Sequence, residues 1–101
     1  DHQIKIRGYR VELGEVEAAL REAAGVEVAV AVGFPRNDGG ADGIVAFIAA
    51  ERADALALRK KLRTRLPPFM VPTDVRAMPE LPLNANGKVD RNALLALLAA
   101  R

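Results

Sequence analysis

The fold is decided first by residues 3–24, which read QIKIRGYRVELGEVEAALREAA. Apolar and polar residues alternate on either side of Gly8, which is the period of a strand interrupted by a turn. From residue 14 onward the apolar residues recur every three or four positions, which is the period of an amphipathic helix. We therefore predict a two-stranded hairpin over 3–12, followed by a helix over 14–24.

This first helix is predicted to have one buried and one solvent-facing side. The residues on the apolar side are Leu13, Val16, Leu20 and Ala23. The residues expected to face away from the core are Glu15, Glu17, Arg21 and Glu22. Gly25 follows the last turn, where glycine commonly ends a helix in the left-handed conformation.

The next part of the chain predicts two strands. A valine-rich alternation predicts a strand over 26–32, and a second apolar run predicts another over 44–50. Between them, residues 36–43 are dense in Asn, Asp and Gly, which are typical of turns. We expect this segment to be a flexible loop.

The remaining part of the chain predicts two helices. Asp54 is placed to cap a helix over 55–66, and Asp90 is placed to cap a last helix over 91–99. The proline-rich stretch between them has room for one short strand at 74–77. The predicted fold class is α+β, with a small β-sheet (the N-terminal hairpin plus about three further strands) packed with about three helices.

The composition excludes several classes of function. The chain has 101 residues, which is enough for one compact domain and too few for two. The absence of cysteine excludes disulfides, cysteine-ligated zinc and a thiol nucleophile, and with a single histidine we expect no metal site. A net charge of +2 and an aromatic content of 4% argue against nucleic acid as a partner. No apolar run approaches the roughly 20 residues that cross a membrane, so we expect no membrane partner. The absence of cysteine fits a cytoplasmic location, which we therefore expect.

Three segments are candidates for chemistry. The segment 86–91 reads NGKVDR and places Lys88 between a turn and a capped helix start, so its backbone is fixed while its side chain is free. A flexible stem with a compact positive charge suits a phosphate oxygen, although a lysine in such a turn is more commonly just solvated. The second segment is the hairpin and the helix start, residues 1–17. The third, residues 66–72, reads LPPFMVP and is expected to be a rigid connector that places Phe69 and the following Met in the core.

Together, in this order and spacing, the three segments resemble the eighth, ninth and tenth core motifs of the amino-acid-activating adenylation domains of nonribosomal peptide synthetases. Those domains belong to the adenylate-forming superfamily. The resemblance covers residues 1–17, 66–72 and 86–91, with aliphatic exchanges in the first of these. It implies that residues 1–101 are one domain, the small and mobile C-terminal subdomain of an adenylation domain. The large N-terminal subdomain, with its substrate pocket and magnesium ligand, is then absent from this chain.

The resemblance also implies roles for individual residues. Lys88 falls on the family's catalytic lysine, which reaches the substrate carboxylate and the α-phosphate of ATP. Asp1 falls on the hinge about which the small subdomain rotates between two half-reactions. Lys5 falls on a lysine that contacts the ATP ribose. Arg7 and Gly8 fall on the loop that lines the pantetheine channel after rotation.

The implied cofactors are ATP and Mg²⁺, together with the phosphopantetheine of a peptidyl carrier protein. The implied partners are the N-terminal adenylation subdomain, that carrier protein and an amino-acid substrate. The chain alone is expected to have no adenylation activity. Two alternatives stay open, namely a fragment of an acyl-CoA synthetase-like ligase and a non-catalytic module that binds a carrier protein or nucleic acid through the basic helix 55–66.

Overall fold

The computed structural model describes residues 3–100 of the chain. The helices in this range are α1 (Leu13–Ala24), α2 (Ala55–Arg63) and α3 (Arg91–Ala99), with a short 3₁₀ helix at Pro68–Met70. The strands are β1 (Gln3–Ile6), β2 (Tyr9–Glu12), β3 (Ala29–Gly33), β4 (Arg36–Asn37), β5 (Gly40–Ala41), β6 (Ile44–Ala49) and β7 (Asp74–Met78). The predicted α+β class is confirmed, but the strands form two small sheets rather than one.

The N-terminal hairpin forms as predicted. Strands β1 and β2 are antiparallel, and Ile6 pairs with Tyr9 across the two-residue turn. Both turn residues have positive φ, 49° at Arg7 and 89° at Gly8. This is the type I′ geometry, whose twist matches that of the flanking strands. The hairpin is therefore held by ordinary local backbone geometry.

The segment predicted as a flexible loop contains β4 and β5 instead. Strand β5 runs parallel to β1, with Lys5 opposite Gly40, and the order of this sheet is β2-β1-β5-β4. A Cβ at residue 40 would overlap the carbonyl oxygen of Lys5. The absence of a side chain at Gly40 is what allows the two backbones to approach, so the pairing depends on a contact that periodicity does not reveal.

The second sheet has the order β3-β6-β7, with β6 parallel to β7. The three strands are those predicted, but β3 starts at Ala29 rather than Val26. The backbone N–H of Val26 instead donates to the carbonyl of Arg21 (3.1 Å), because Gly25 adopts the left-handed conformation that closes α1. The start of the predicted strand is thus taken up by the helix cap.

Helices α2 and α3 begin at the predicted caps, whereas α1, for which no cap was predicted, begins at Leu13, one residue before its predicted start. Asp54 accepts a hydrogen bond from the N–H of Ala57, and Asp90 accepts one from the N–H of Ala93, both at 3.1 Å. Helix α2 ends at Arg63, three residues before the predicted end. The last predicted turn forms turn-like hydrogen bonds, because a helical conformation is disfavoured in front of Pro67.

The sheet β3-β6-β7 is covered on both faces. One face packs with α1 and α2, through residues such as Ala31, Leu20 and Leu62. The other packs with α3, through residues such as Val32 and Leu94. All five residues of β3 are buried as a result, and the sheet fixes the start of α3, which follows Lys88 in the chain.

Candidate active site

Lys88 lies at the end of a tight turn that one asparagine organises. The side-chain oxygen of Asn84 accepts hydrogen bonds from the N–H of Asn86 (2.8 Å) and of Lys88 (3.1 Å). The N–H of Asn84 donates to the carbonyl of Lys88 at 2.7 Å. Gly87, with φ of 78°, provides the left-handed position that the turn requires. The backbone of Lys88 is therefore fixed on both sides.

The side chain of Lys88 extends from this fixed backbone into an open groove. The residue is exposed, and within residues 3–100 its ammonium group has no hydrogen-bond or ion-pair partner. The groove has a volume of about 640 Å³ and is lined by the start of α3, the start of β3 and the charged face of α1. The arrangement leaves the ammonium group of Lys88 available to a ligand from outside the described chain.

Glu17 lines the same groove, and its predicted position is wrong. It was expected to face solvent, yet it is only 7% exposed. Its carboxylate accepts a hydrogen bond from the N–H of Ala31 (2.9 Å) and forms an ion pair with Arg91 (2.8 Å). Burial of a carboxylate is tolerated where such partners replace water. The signal available in the sequence was the position of Glu17 one turn after Leu13, at the border of the apolar stripe.

Lys5, Arg7 and Gly8 line a second, larger cleft. Its volume is about 1030 Å³, and it lies between the hairpin and the β4-β5 segment. Arg10 and Arg36 also line it, so four cations face this cleft together with a single acidic residue. The structure thus brings together the three residues that the resemblance assigns to nucleotide and pantetheine.

Lys88 is not part of that cleft, because the residues lining its groove are all different from those lining the hairpin cleft. A smaller pocket of about 290 Å³ lies between the two and is lined by residues of both regions, including Ile4, Arg36 and Arg91. The predicted hinge residue Asp1 lies outside the described residues. The described domain therefore offers two separate surfaces, a groove of mixed charge that holds Lys88 and a basic hairpin cleft.

The connector formed by residues 66–72 differs in part from its prediction. Met70 is buried in the core as expected. Phe69 is only half-buried, and its ring stacks on that of Tyr9 with a centroid distance of 4.2 Å and an interplanar angle of 12°. Since Tyr9 directly follows Gly8, the connector supports the hairpin turn rather than only filling the core.

Helix α2, the basic helix of the binding-module alternative, is partly engaged with the rest of the domain. The ammonium group of Lys61 donates to the carbonyl of Ala23 at 3.2 Å, and Arg65, just after the helix, pairs with Glu22. Two of the five cations in the segment 55–66 therefore hold this segment against α1.

Neither a metal cluster nor a membrane span is found in the part of the chain that the structure describes. Residues 3–100 contain no group of three or more His, Cys, Asp or Glu side chains placed to hold a metal ion. Over the same residues, no helix combines the length and the apolar character needed to span a bilayer.

The fold and the two surfaces define an α+β domain that presents a cation on a rigid turn and a basic hairpin cleft. The sequence model of one protein family, the AMP-binding enzyme C-terminal domain, matches residues 15–88, which is well over half of the chain. The chain belongs to this family.

Relatives agree with the predicted branch of the superfamily. The chain is 51% identical over 96 residues to CymA of Salinispora arenicola, described as a probable nonribosomal peptide synthetase of atypical type, covering 93% of this chain and 1% of CymA. It is 45% identical over 94 residues to surfactin synthase subunit 2 of Bacillus subtilis, covering 93% of this chain and 3% of that protein.

A solved structure gives the same fold. The adenylation domain AlmE of Vibrio cholerae, determined with glycyl-adenosine-5'-phosphate, superposes with a TM-score of 0.86 at 32% identity. The match covers 100% of this chain and 19% of AlmE. The chain therefore spans a small part of each of these similar proteins, about a fifth at most.

Proposed function

We propose that this chain is the mobile lid subdomain of an amino-acid-activating adenylation domain and that Lys88 is its catalytic cation. The observation that carries the proposal is the fixed backbone of Lys88 combined with an ammonium group unpaired within residues 3–100. A positive charge on a rigid support needs little reorganisation when charge develops next to it. The membership in the AMP-binding enzyme C-terminal domain family and the likeness to AlmE support this reading.

The reaction proposed is formation of an aminoacyl adenylate. A carboxylate oxygen of the amino acid attacks the α-phosphorus of ATP, and the bond from that phosphorus to the pyrophosphate oxygen breaks. Negative charge concentrates between the carboxylate and the α-phosphate in the transition state. The ammonium group of Lys88 is suited to stabilise that charge.

The hairpin cleft is proposed to serve the nucleotide first and the carrier protein second. In the adenylating arrangement Lys5 contacts the ATP ribose. After rotation about Asp1, the turn at Arg7 and Gly8 lines the channel through which the phosphopantetheine thiol of a peptidyl carrier protein reaches the adenylate. That thiol attacks the carbonyl carbon and AMP leaves, so one small domain serves two half-reactions by rotation.

The remaining parts of the active site are assigned to a large N-terminal subdomain. We place the amino-acid pocket and the Mg²⁺ ligands there, since the described residues offer no cluster of acidic ligands. We further place the protein in the cytoplasm, where ATP is available. The likeness to CymA favours a peptide synthetase over an acyl-CoA synthetase-like ligase, and the internal bonds of Lys61 and Arg65 argue against a binding module based on α2.

The direct test is Lys88→Ala in the full-length enzyme that carries this domain. We expect kcat for amino-acid-dependent pyrophosphate exchange to fall by about 100-fold or more, as when a preorganised electrostatic group is removed. Thioester formation from preformed aminoacyl adenylate should change little. Lys60→Ala, an exposed lysine on α2, is the matched control and should leave both steps intact. Equal loss of both steps in Lys88→Ala, or no loss, would show that Lys88 is not the adenylation cation.

A further inference from the structure

The ion pair between Glu17 and Arg91 lies beside the Lys88 turn and is not used in the reaction proposed above. One carboxylate oxygen of Glu17 accepts from the N–H of Ala31 (2.9 Å) and from Nη2 of Arg91 (2.8 Å). The other terminal nitrogen of Arg91, Nη1, donates to the carbonyl of Ala31 at 2.9 Å. The two side chains and the backbone N–H and carbonyl of Ala31 thus form a closed ring of charge-assisted hydrogen bonds.

This ring completes the open edge of β3. Strand β3 is the edge strand of its sheet, and Ala31 pairs with Ala46 of β6 on the other side. The N–H and the carbonyl of Ala31 both point away from β6 and bond to side chains. Without these bonds, the exposed edge of β3 would offer both groups to another strand. The ion pair therefore takes the place of a neighbouring strand at this position.

The same ring fixes the start of α3 and, through it, the end of the Lys88 turn. Arg91 is the first residue of α3 and follows Lys88 by three positions. Between them, the N–H of Asp90 donates to the carbonyl of Pro82 at 2.8 Å. The segment after Lys88 is thus held by a backbone hydrogen bond at Asp90 and by the side-chain contacts of Arg91. The backbone that follows Lys88 therefore has little conformational freedom.

We infer that Glu17 and Arg91 are positioning residues that set the direction of the Lys88 side chain. This inference rests on the proposed function of Lys88. Arginine is required because a planar guanidinium donates to the carboxylate and to the carbonyl from two fixed nitrogens, whereas an ammonium group is a single point donor. Glutamate is favoured because its carboxylate brings the negative charge that pairs with the guanidinium, while the same oxygen also accepts from a backbone N–H.

The test compares Arg91→Met, Glu17→Gln, Arg91→Lys and Lys88→Ala in the full-length enzyme. We expect Arg91→Met to lower kcat for pyrophosphate exchange by about 100-fold and Glu17→Gln by about tenfold, as small displacements of a catalytic group do. Arg91→Lys should recover part of the loss. KM for ATP and amino acid should change by less than about threefold, because only the transition-state contact is affected.

The decisive readout is the double variant that joins Lys88→Ala to Arg91→Met. If Arg91 acts through Lys88, the double variant is no slower than Lys88→Ala alone. A further loss in the double variant, or a parallel loss of thioester formation from preformed adenylate, would overturn the inference. Arg63→Met is the matched control, because Arg63 is exposed on α2, lines neither the Lys88 groove nor the hairpin cleft, and makes no side-chain hydrogen bond within residues 3–100.

Two outcomes separate the inference from the function on which it rests. A wild-type rate of adenylation in Lys88→Ala would contradict the proposed function itself. Collapse in Lys88→Ala with wild-type rates in Glu17→Gln and Arg91→Met would remove the positioning role alone. If Arg91→Met does not fold, Glu17→Gln keeps the test valid, because it has the same shape and retains an acceptor for the N–H of Ala31.

Discussion

The two turns that carry the candidate residues are built on different principles. The turn at Arg7 and Gly8 is a two-residue connection whose geometry follows from the strands on either side. The turn before Lys88 is longer, and it is held by the side chain of Asn84 and by the anchor that Arg91 forms with Glu17. One turn depends on backbone pairing, whereas the other depends on particular side chains.

This difference suits the two tasks proposed for them. A hairpin that lines a channel must place backbone near a ligand, and strand pairing does that without a specific side chain. A cation that stabilises a transition state must be placed with an error well below 1 Å, which calls for side-chain anchors. We therefore expect substitutions in the two regions to affect different half-reactions.

The largest effect on stability is expected from Gly40→Ala, which disrupts the backbone pairing between β1 and β5 beside the hairpin. The added methyl group overlaps the carbonyl of Lys5, so β5 must move away from β1. We expect a loss of about 2 kcal/mol in the free energy of unfolding, measured by urea denaturation. The amide of Arg7, which donates to the carbonyl of Ala41, should exchange faster with deuterium.

The control for Gly40→Ala is Asp38→Ala, an exposed residue in the same segment. It should leave both the unfolding free energy and the exchange of the Arg7 amide unchanged. Unchanged exchange in Gly40→Ala would mean that the β1-β5 pairing does not form in solution.

A smaller loss of stability is expected from Asn84→Ala, which disrupts the turn before Lys88. It removes the acceptor for the N–H groups of Asn86 and Lys88, and water replaces it in part because the turn is exposed. We expect a cost of about 1 kcal/mol in the free energy of unfolding. The rate of pyrophosphate exchange should fall by about tenfold, because Lys88 loses its fixed backbone.

Two variants sharpen this prediction. Asn84→Asp keeps the side-chain oxygen and should retain most of the activity, whereas Asn86→Ala removes a side chain that makes no hydrogen bond within residues 3–100. If Asn86→Ala proved as harmful as Asn84→Ala, the turn would not be organised by Asn84.

The features that sequence alone predicted are those with a local cause. The hairpin, the capped starts of α2 and α3 and the turn before Lys88 each follow from a few neighbouring residues, such as Gly8, Asp54 and Asp90. The motif matches identified the family correctly, and the family model covers residues 15–88.

The features that sequence missed depend on contacts between distant segments. The burial of Glu17 requires Arg91, which is far along the chain and on another helix. The pairing of β5 with β1 requires the backbone approach at Gly40, and strands of two residues have no period to detect. Helical periodicity predicted that Glu17 faces solvent, but the residue lies at the border of the apolar stripe, where periodicity alone does not determine the side.

The smallest effect is expected from Phe69→Leu, which removes the ring stacked on Tyr9 beside the hairpin turn. An aromatic pair of this kind contributes about 1 kcal/mol, so the loss in the free energy of unfolding should be of that size or less. Because Tyr9 adjoins the turn at Arg7 and Gly8 and pairs with Ile6 rather than with Lys5, thioester formation should slow while pyrophosphate exchange stays near the wild-type rate. Tyr9→Phe keeps the stack and should behave as wild type. Equal slowing of both half-reactions in Phe69→Leu would show that the two turns are not independent, because the loss of the stack beside the Arg7-Gly8 turn would then also displace Lys88.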